Sequence, residues 1–251
     1  MANPTLTFAC NVCGSSCSLP VEELQREGGT CIACGSTSRH RAVLSTLSSE
    51  LFGERLAIEE FPVRRDLRGV GLTDAEGYAT RLAAKLGYTN TYYHQEPHLD
   101  IEAPDEALVG TLDFLISSDV FEHVPPPLSR ALIGARRLLK PDGVLVMTVP
   151  WGPGESITEH FPDLYDWEIV TPEGKQVLRN VTRDGGNQEF PDLIFHGGPG
   201  HTLEMRSFSA GGLRRALNRA GFSRVTFDRA ADLVHGAFWP EPWSHPVAAR
   251  P

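Results

Sequence analysis

Leu112-Asp113-Phe114-Leu115-Ile116-Ser117 is a nearly continuous apolar run, the pattern of a strand buried on both faces of a parallel sheet. Pro125, Pro126 and Pro127 follow and pre-set the start of a helix over residues 129–139. Lys140-Pro141-Asp142-Gly143 reads as a turn, and residues 144–149 as a second buried strand. Towards the N-terminus, residues 69–73 predict a short strand, 76–86 an amphipathic helix closed by Gly87, and 88–94 a β-rich run of Thr and Tyr. Towards the C-terminus, a helix capped by Ser209 runs through Leu213, Ala216 and Leu217 to Gly221, before a strand over 223–227. From Asp228 onward no element is assigned. Strands alternating with helices specify an α/β fold with a doubly wound sheet. Residues 152–200 are rich in Gly, Pro, Asp and aromatics with weak periodicity, and read as an elaborated insertion over the carboxyl edge, where open α/β sheets put their ligands.

A chain of 251 residues with 41% hydrophobic content buries one sizeable core without disulfides. Its 32 acidic and 23 basic side chains leave a net charge of −9, so no overall field attracts nucleic acid or an anionic membrane. No apolar stretch approaches the roughly 20 residues of a spanning helix, and residues 1–7 lack the charged start and apolar run of a leader. Membrane insertion and secretion are therefore not expected. All five cysteines fall between Cys10 and Cys34, which points to reduced thiols with a local purpose and to the cytoplasm.

Cys10-x2-Cys13, seventeen residues, then Cys31-x2-Cys34 is the spacing of a four-thiolate zinc site. Gly14 and Gly35 relax the backbone behind each pair. Four protein ligands leave no open position, so the ion is expected to be structural, supplying on the order of 10 kcal/mol to a segment with few large apolar residues. The bland alternative is a set of buried free thiols. Cys17 either replaces one of the four or sits beside them, and the paired spacing favours the second. The expected division is a zinc ribbon over 1–38 and an α/β domain over 39–251 with an insertion over about 152–205. Residues 42–51 recur apolar at helical spacing and stop at Gly53, giving a helix that joins the two. Residues 1–55 hold four Arg and no Lys against five Glu, so beyond Arg39, His40 and Arg41 there is no basic face for phosphates. A structural or partner-docking ribbon is the expectation.

The segment Asp113 to Val124 (DFLISSDVFEHV), the helix ending RLLKPDG and the strand VLVMTVP together resemble the class I S-adenosylmethionine-dependent methyltransferases. EHFPDLYDWEIV, FHGGPGHTLEMRSFS and GLRRALNRAGF extend the likeness to a bacterial subgroup with an N-terminal zinc ribbon ending CGSxxRHR. One departure stands out: where the family has an acidic, triple-glycine loop after its first strand, Arg68-Gly69-Val70-Gly71-Leu72-Thr73-Asp74 keeps only G-x-G. The resemblance implies that Gly69, Gly71, Thr73 and Asp74 cradle the amino-acid end of S-adenosylmethionine, with Asp74 accepting from its ammonium. The alternative for these residues is a tight strand-to-helix turn. It further implies Glu96 for the ribose hydroxyls, Asp100 and Ile101 for adenine, and Asp119 and Val120 beneath the cofactor. Solvated loop charges are the alternative for both acids.

The candidate catalytic residues are His160, His196 and His123. His160, His196 and His201 lie in the insertion with Asp163, Tyr165 and Glu204, a set able to hold a polar acceptor, take a proton, bind a second metal, or do nothing chemical. His160 is favoured because Glu159, Phe161 and Asp163 flank it, and a packed imidazole is the alternative for His123. The expected function is methyl transfer to a small-molecule acceptor, polar or sugar-like. The alternatives are non-methyl use of the cofactor, by aminocarboxypropyl transfer or cyclisation, and a catalytically inactive binding module. Neither the acceptor nor the oligomeric state is legible.

Overall fold

The computed structural model describes residues 4–196 and 202–251, so His201 lies outside the described residues. Strands β1 (Thr5–Ala9) and β2 (Ser16–Pro20) pair antiparallel. Helix α1 (Ser38–Phe52) begins where the Thr37 hydroxyl accepts from the His40 amide and ends at Gly53, whose φ of 81° only glycine adopts readily. There follow β3 (Arg64–Leu72), α2 (Glu76–Lys85), β4 (Leu86–Thr91), β5 (Leu112–Ser118), α3 (Leu128–Leu138) and β6 (Leu139–Thr148). Next come β7 (Trp151–Gly152), β8 (Thr158–Glu159), β9 (Asp166–Val170), β10 (Val177–Val181) and β11 (Asn187–Phe190). Strand β12 (Arg206–Ser209), α4 (Ala210–Arg219), β13 (Arg224–Phe227) and β14 (Val247–Arg250) complete the order.

The central sheet runs β13-β14-β6-β5-β3-β4, with β4, β3, β5 and β6 parallel and β14 antiparallel to both neighbours. From β3 the chain goes to β4 on one side and returns to β5 on the other, which opens a crevice at the carboxyl ends of β3 and β5. As the sequence predicts, β5 is buried on both faces. Phe114 and Ile116 pack with the apolar residues of α1 and α2, and Leu115 with those of α3 and α4. Phe8, Cys10 and Leu24, ahead of α1, belong to the same cluster as Phe114.

Four expectations change. Gly87 does not close a helix: it lies in β4 opposite Arg68, where a Cβ would press on the Arg65 carbonyl. Residues 140–143 are a bulge in one long strand rather than a turn between elements, because Leu139 sits opposite Leu112 and Val144 opposite Phe114, while Lys140 Nζ reaches back to Asp113 at 2.8 Å. The unassigned C-terminal stretch contains β14, a four-residue strand between β13 and β6, second from the sheet's edge. Residues 152–190 hold regular structure, an antiparallel β11-β10-β9 sheet and short β7 and β8 strands that pair with β12.

Candidate functional site

Cys10 and Cys31 open two similar knuckles, in which Gly14 N donates to Cys10 O at 2.7 Å and Gly35 N to Cys31 O at 2.8 Å, with glycine φ angles of 76° and 71°. The ligating atoms of Cys10, Cys13, Cys31 and Cys34 lie within 4.8 Å of one another. Cys10 Sγ is 3.8 Å from Cys34 Sγ and Cys13 Sγ 3.7 Å from Cys31 Sγ. A disulfide needs about 2.05 Å, whereas sulfurs at about 2.3 Å from a tetrahedral zinc stand about 3.8 Å apart. Cys17 is buried outside this set, its Sγ 3.8 Å from Ser15 O. Four thiolates around a divalent ion carry net negative charge, and Arg41 supplies a fully buried cation beside them, held by the carbonyls of Gly29, Ser36 and Gly236. Burial lowers the pKa of Arg41, and the neighbouring cysteines work against that shift.

Thr73 and Asp119, the first residues beyond β3 and β5, both take left-handed backbone, with φ of 56° and 55°. Such strain gathers at functional edges. Asp119 accepts from Arg26 Nη1 at 2.9 Å and Thr148 Oγ1 at 2.9 Å, with Arg39 Nε at 3.2 Å. Burial pushes Asp119 up, but the two guanidiniums outweigh it and hold the carboxyl below its ordinary range. Arg26 and the first turn of α1 thus fasten the metal-side segment to the end of β5. Arg39 and Arg41 are engaged inside the molecule.

Gly69 and Gly71 serve packing. A Cβ at Gly69 would occupy the Phe114 ring, and one at Gly71 the space where Tyr88 Oη donates to Asp74 Oδ2 at 2.6 Å. Asp74 is buried, its amide donating to Asn90 Oδ1 at 2.8 Å, and burial pushes its pKa from 3.8 up to about 6. Gly69, Gly71 and Asp74 thus have packing partners within the chain itself, as the strand-to-helix turn requires. Because the folded chain holds the Asp74 proton more tightly than the unfolded one, the contribution of Asp74 to stability is most favourable below about pH 4 and is lost as pH rises towards 6. Asp74→Asn keeps an acceptor for Tyr88, so it should stabilise the fold by about 2 to 3 kcal/mol near pH 7 and by nothing near pH 4. Urea denaturation at the two pH values checks this; equal stabilities near pH 7 would contradict it.

A cavity of about 390 Å³ opens over the carboxyl ends of β3 and β4. Thr73, Asp100, Ile101, Val120 and His123 line it, as do Tyr92 and His94; Trp167 and Ile169 of β9 and Leu203 and Met205 cover it. Asp100 accepts from the Glu102 amide at 2.9 Å, which turns the chain along the wall. Glu96 is not on that wall; it is exposed and accepts from the His98 amide at 3.0 Å. Asp119 is not on that wall either; it is bound to its arginines.

The three candidate histidines divide. His160 and His196 are off the cavity wall and share one carboxylate, at 3.1 Å from Glu204 Oε1 and 3.0 Å from Glu204 Oε2. Glu159, expected to orient His160, is instead 2.8 Å from Arg206. His123 faces the cavity, its Nδ1 3.0 Å from Leu203 O, and burial lowers its pKa. The neutral ring therefore donates from Nδ1 and leaves Nε2 with a free lone pair. Behind it, Glu122 is 1% exposed, and neither carboxylate oxygen meets a hydrogen-bond donor among the described residues. Burial, and then the Asp119 charge, push Glu122 well above the usual carboxylate range. Glu122, Tyr92, His94 and Trp167 were not singled out from the sequence. For Glu122 the signal was its place beside His123 just past a buried strand.

Residues 66–147 match the family model described as a methyltransferase domain. No curated protein matches the chain. Among solved structures, the chain is 14% identical to the 1,6-didemethyltoxoflavin-N1-methyltransferase of Burkholderia thailandensis, crystallised with S-adenosylhomocysteine, covering 83% of this chain and 76% of that one at a TM-score of 0.45. A sugar N-methyltransferase from a Streptoalloteichus species is 15% identical, covering 86% of this chain and 88% of that one at a TM-score of 0.48.

Proposed function

We propose that this chain, an enzyme with a class I S-adenosylmethionine-dependent methyltransferase domain, methylates a small molecule in the cavity over β3 and β4, with a structural zinc on Cys10, Cys13, Cys31 and Cys34. The observation that carries this reading is the cavity itself, which sits beside the switch point and has both an acid, Asp100, and an imidazole, His123, on its wall. Asp100 and Ile101 would hold the adenosine end, the carboxylate accepting hydrogen bonds and the isoleucine covering a ring face. Thr73 and Val120, at the ends of β3 and β5, would border the sulfonium. The cofactor supplies an already activated methyl group, so the chain's task is to align the acceptor and receive a proton where one must leave. Trp167, Ile169, Leu203 and Met205 suit an acceptor with an apolar face, and His123 Nε2 a polar atom on it. The ribbon over 1–38 and the domain over 39–251 are read as units that share one core. Thiols kept reduced for zinc suit the cytoplasm.

A second reading has one observation in its favour: Asp74 and Tyr88 fill the space beside Gly71, which supports a differently held amino-acid end and with it aminocarboxypropyl transfer. Product analysis separates the two. Methyl transfer leaves S-adenosylhomocysteine; aminocarboxypropyl transfer leaves methylthioadenosine, and its appearance would overturn the first reading. The wall also ranks the acids. Asp100→Ala should weaken S-adenosylmethionine binding about 10- to 150-fold, the worth of a charge-assisted contact, and more than Glu96→Ala does. Calorimetric titration checks the order, and a larger loss in Glu96→Ala would place the ribose on the exposed loop instead.

A further inference from the structure

Glu122, His123 and His196 each present one ligating atom within 4.8 Å of the other two. We propose that these three residues form a second metal site, for a divalent transition ion, distinct from the tetrathiolate.

Glu122 supplies the first argument. A carboxyl group that is 1% exposed with both oxygens unpartnered among the described residues is costly in a folded protein, and a cation removes that cost. No guanidinium hydrogen-bonds to it: Arg26 and Arg39 hold Asp119, and Arg206 holds Glu159 and the carbonyls of Phe121 and Val124 through Nε and Nη1, its Nη2 being itself without a partner among the described residues. The orientation of the imidazoles supplies the second. Ligating histidines donate their other ring nitrogen to a carbonyl or carboxylate. His123 Nδ1 is 3.0 Å from Leu203 O, leaving Nε2, which is 3.9 Å from Glu122 Oε1. His196 Nε2 is 3.0 Å from Glu204 Oε2, leaving Nδ1. Both outer partners are thus in place before any ion. Two imidazoles and a carboxylate are a donor set for zinc, iron or a similar ion, and three protein ligands leave positions open.

Donors about 2.1 Å from an ion stand roughly 3 to 3.5 Å apart, whereas His123 Nε2 and Glu122 Oε1 stand 3.9 Å apart, so binding an ion draws the set together. His196, with its side chain 39% exposed on the segment before β12, is the member placed to move. With an ion bound, His123 Nε2 is a ligand and no longer meets the acceptor itself; because His123 lines the cavity, an open position on the ion would take over that contact and favour an acceptor with a ligating oxygen, a hydroxyl or carboxylate. That consequence rests on the methyl-transfer reading, whereas metal binding does not.

The test is calorimetric titration of the intact protein, carrying its ribbon zinc, with Zn²⁺ or Co²⁺ alone. One further equivalent per chain is expected. It should weaken by more than about 100-fold in His196→Ala and in the isosteric Glu122→Gln, because losing a ligand costs more than losing an outer partner. Ribbon zinc content and a cooperative melt identify folded variants, and if His196→Ala fails this check, Glu122→Gln decides. No equivalent beyond the ribbon zinc, or one that survives unchanged in a folded Glu122→Gln variant, overturns the proposal. Neither S-adenosylmethionine nor an acceptor is needed, so failure of the methyltransferase reading would show separately.

Discussion

Replacing Cys10 and Cys31 together with serine is expected to release one zinc per chain, to unfold the segment ahead of α1 and to abolish S-adenosylmethionine binding. Together the two substitutions take one sulfur from each close pair, and a tetrathiolate site is worth on the order of 10 kcal/mol to the segment it orders. Cys10 and Cys31 also pack in the cluster that contains Val43, Leu44, Leu47 and Phe114, so the loss reaches the central sheet. The effect on binding runs through Arg26 and Arg39. Both hold Asp119, whose strained backbone precedes Val120 on the cavity wall. Elemental analysis, thermal denaturation and cofactor titration of the double variant measure the three effects. A variant that keeps its metal and melts like the parent would show that the sulfurs do not hold a structural ion.

Turnover is expected to fall roughly 10² to 10⁴-fold in His123→Ala while S-adenosylmethionine affinity stays near parental, the signature of a group that acts on the acceptor in the transition state. The reason is position. His123 is the one of the three candidate histidines on the cavity wall, and its neutral ring turns a free lone pair away from Leu203. His160→Ala should lose much less, because its ring meets Glu204 and Ser207 away from that wall. Steady-state kinetics with a matched cofactor titration separates the variants. If His160→Ala proved the more damaging, the acceptor would have to enter from the insertion side.

Where one physical signal dominates, the sequence is a good guide. The continuous apolar run at 112–117 marks a doubly buried strand because a parallel sheet covered on both faces allows no polar alternation. The cysteine spacing marks the knuckles because two thiols two residues apart, backed by glycine, converge on one point. Strand β14 is illegible since Val-Ala-Ala-Arg carries no period, and its place depends on β6 and β13, far off in sequence. The site suffers in the same way. Asp74 and Glu96 follow strands as a ligand acid should, but tertiary contacts decide their fate: Tyr88 claims one and a local turn exposes the other. Glu204 becomes the partner of His160 and His196 only through tertiary pairing, in which His196 N donates to Thr202 O and Glu204 N to Ile194 O. Glu159, the neighbour in sequence, is taken by Arg206.

The most direct test is calorimetric titration of the folded, zinc-loaded protein with S-adenosylmethionine and S-adenosylhomocysteine, in parent and Asp100→Ala. One site per chain for each ligand, weakened about 10- to 150-fold in the variant, is the expected result. No binding of either ligand to the folded parent would contradict the assignment of the cavity over β3 and β4 to this cofactor.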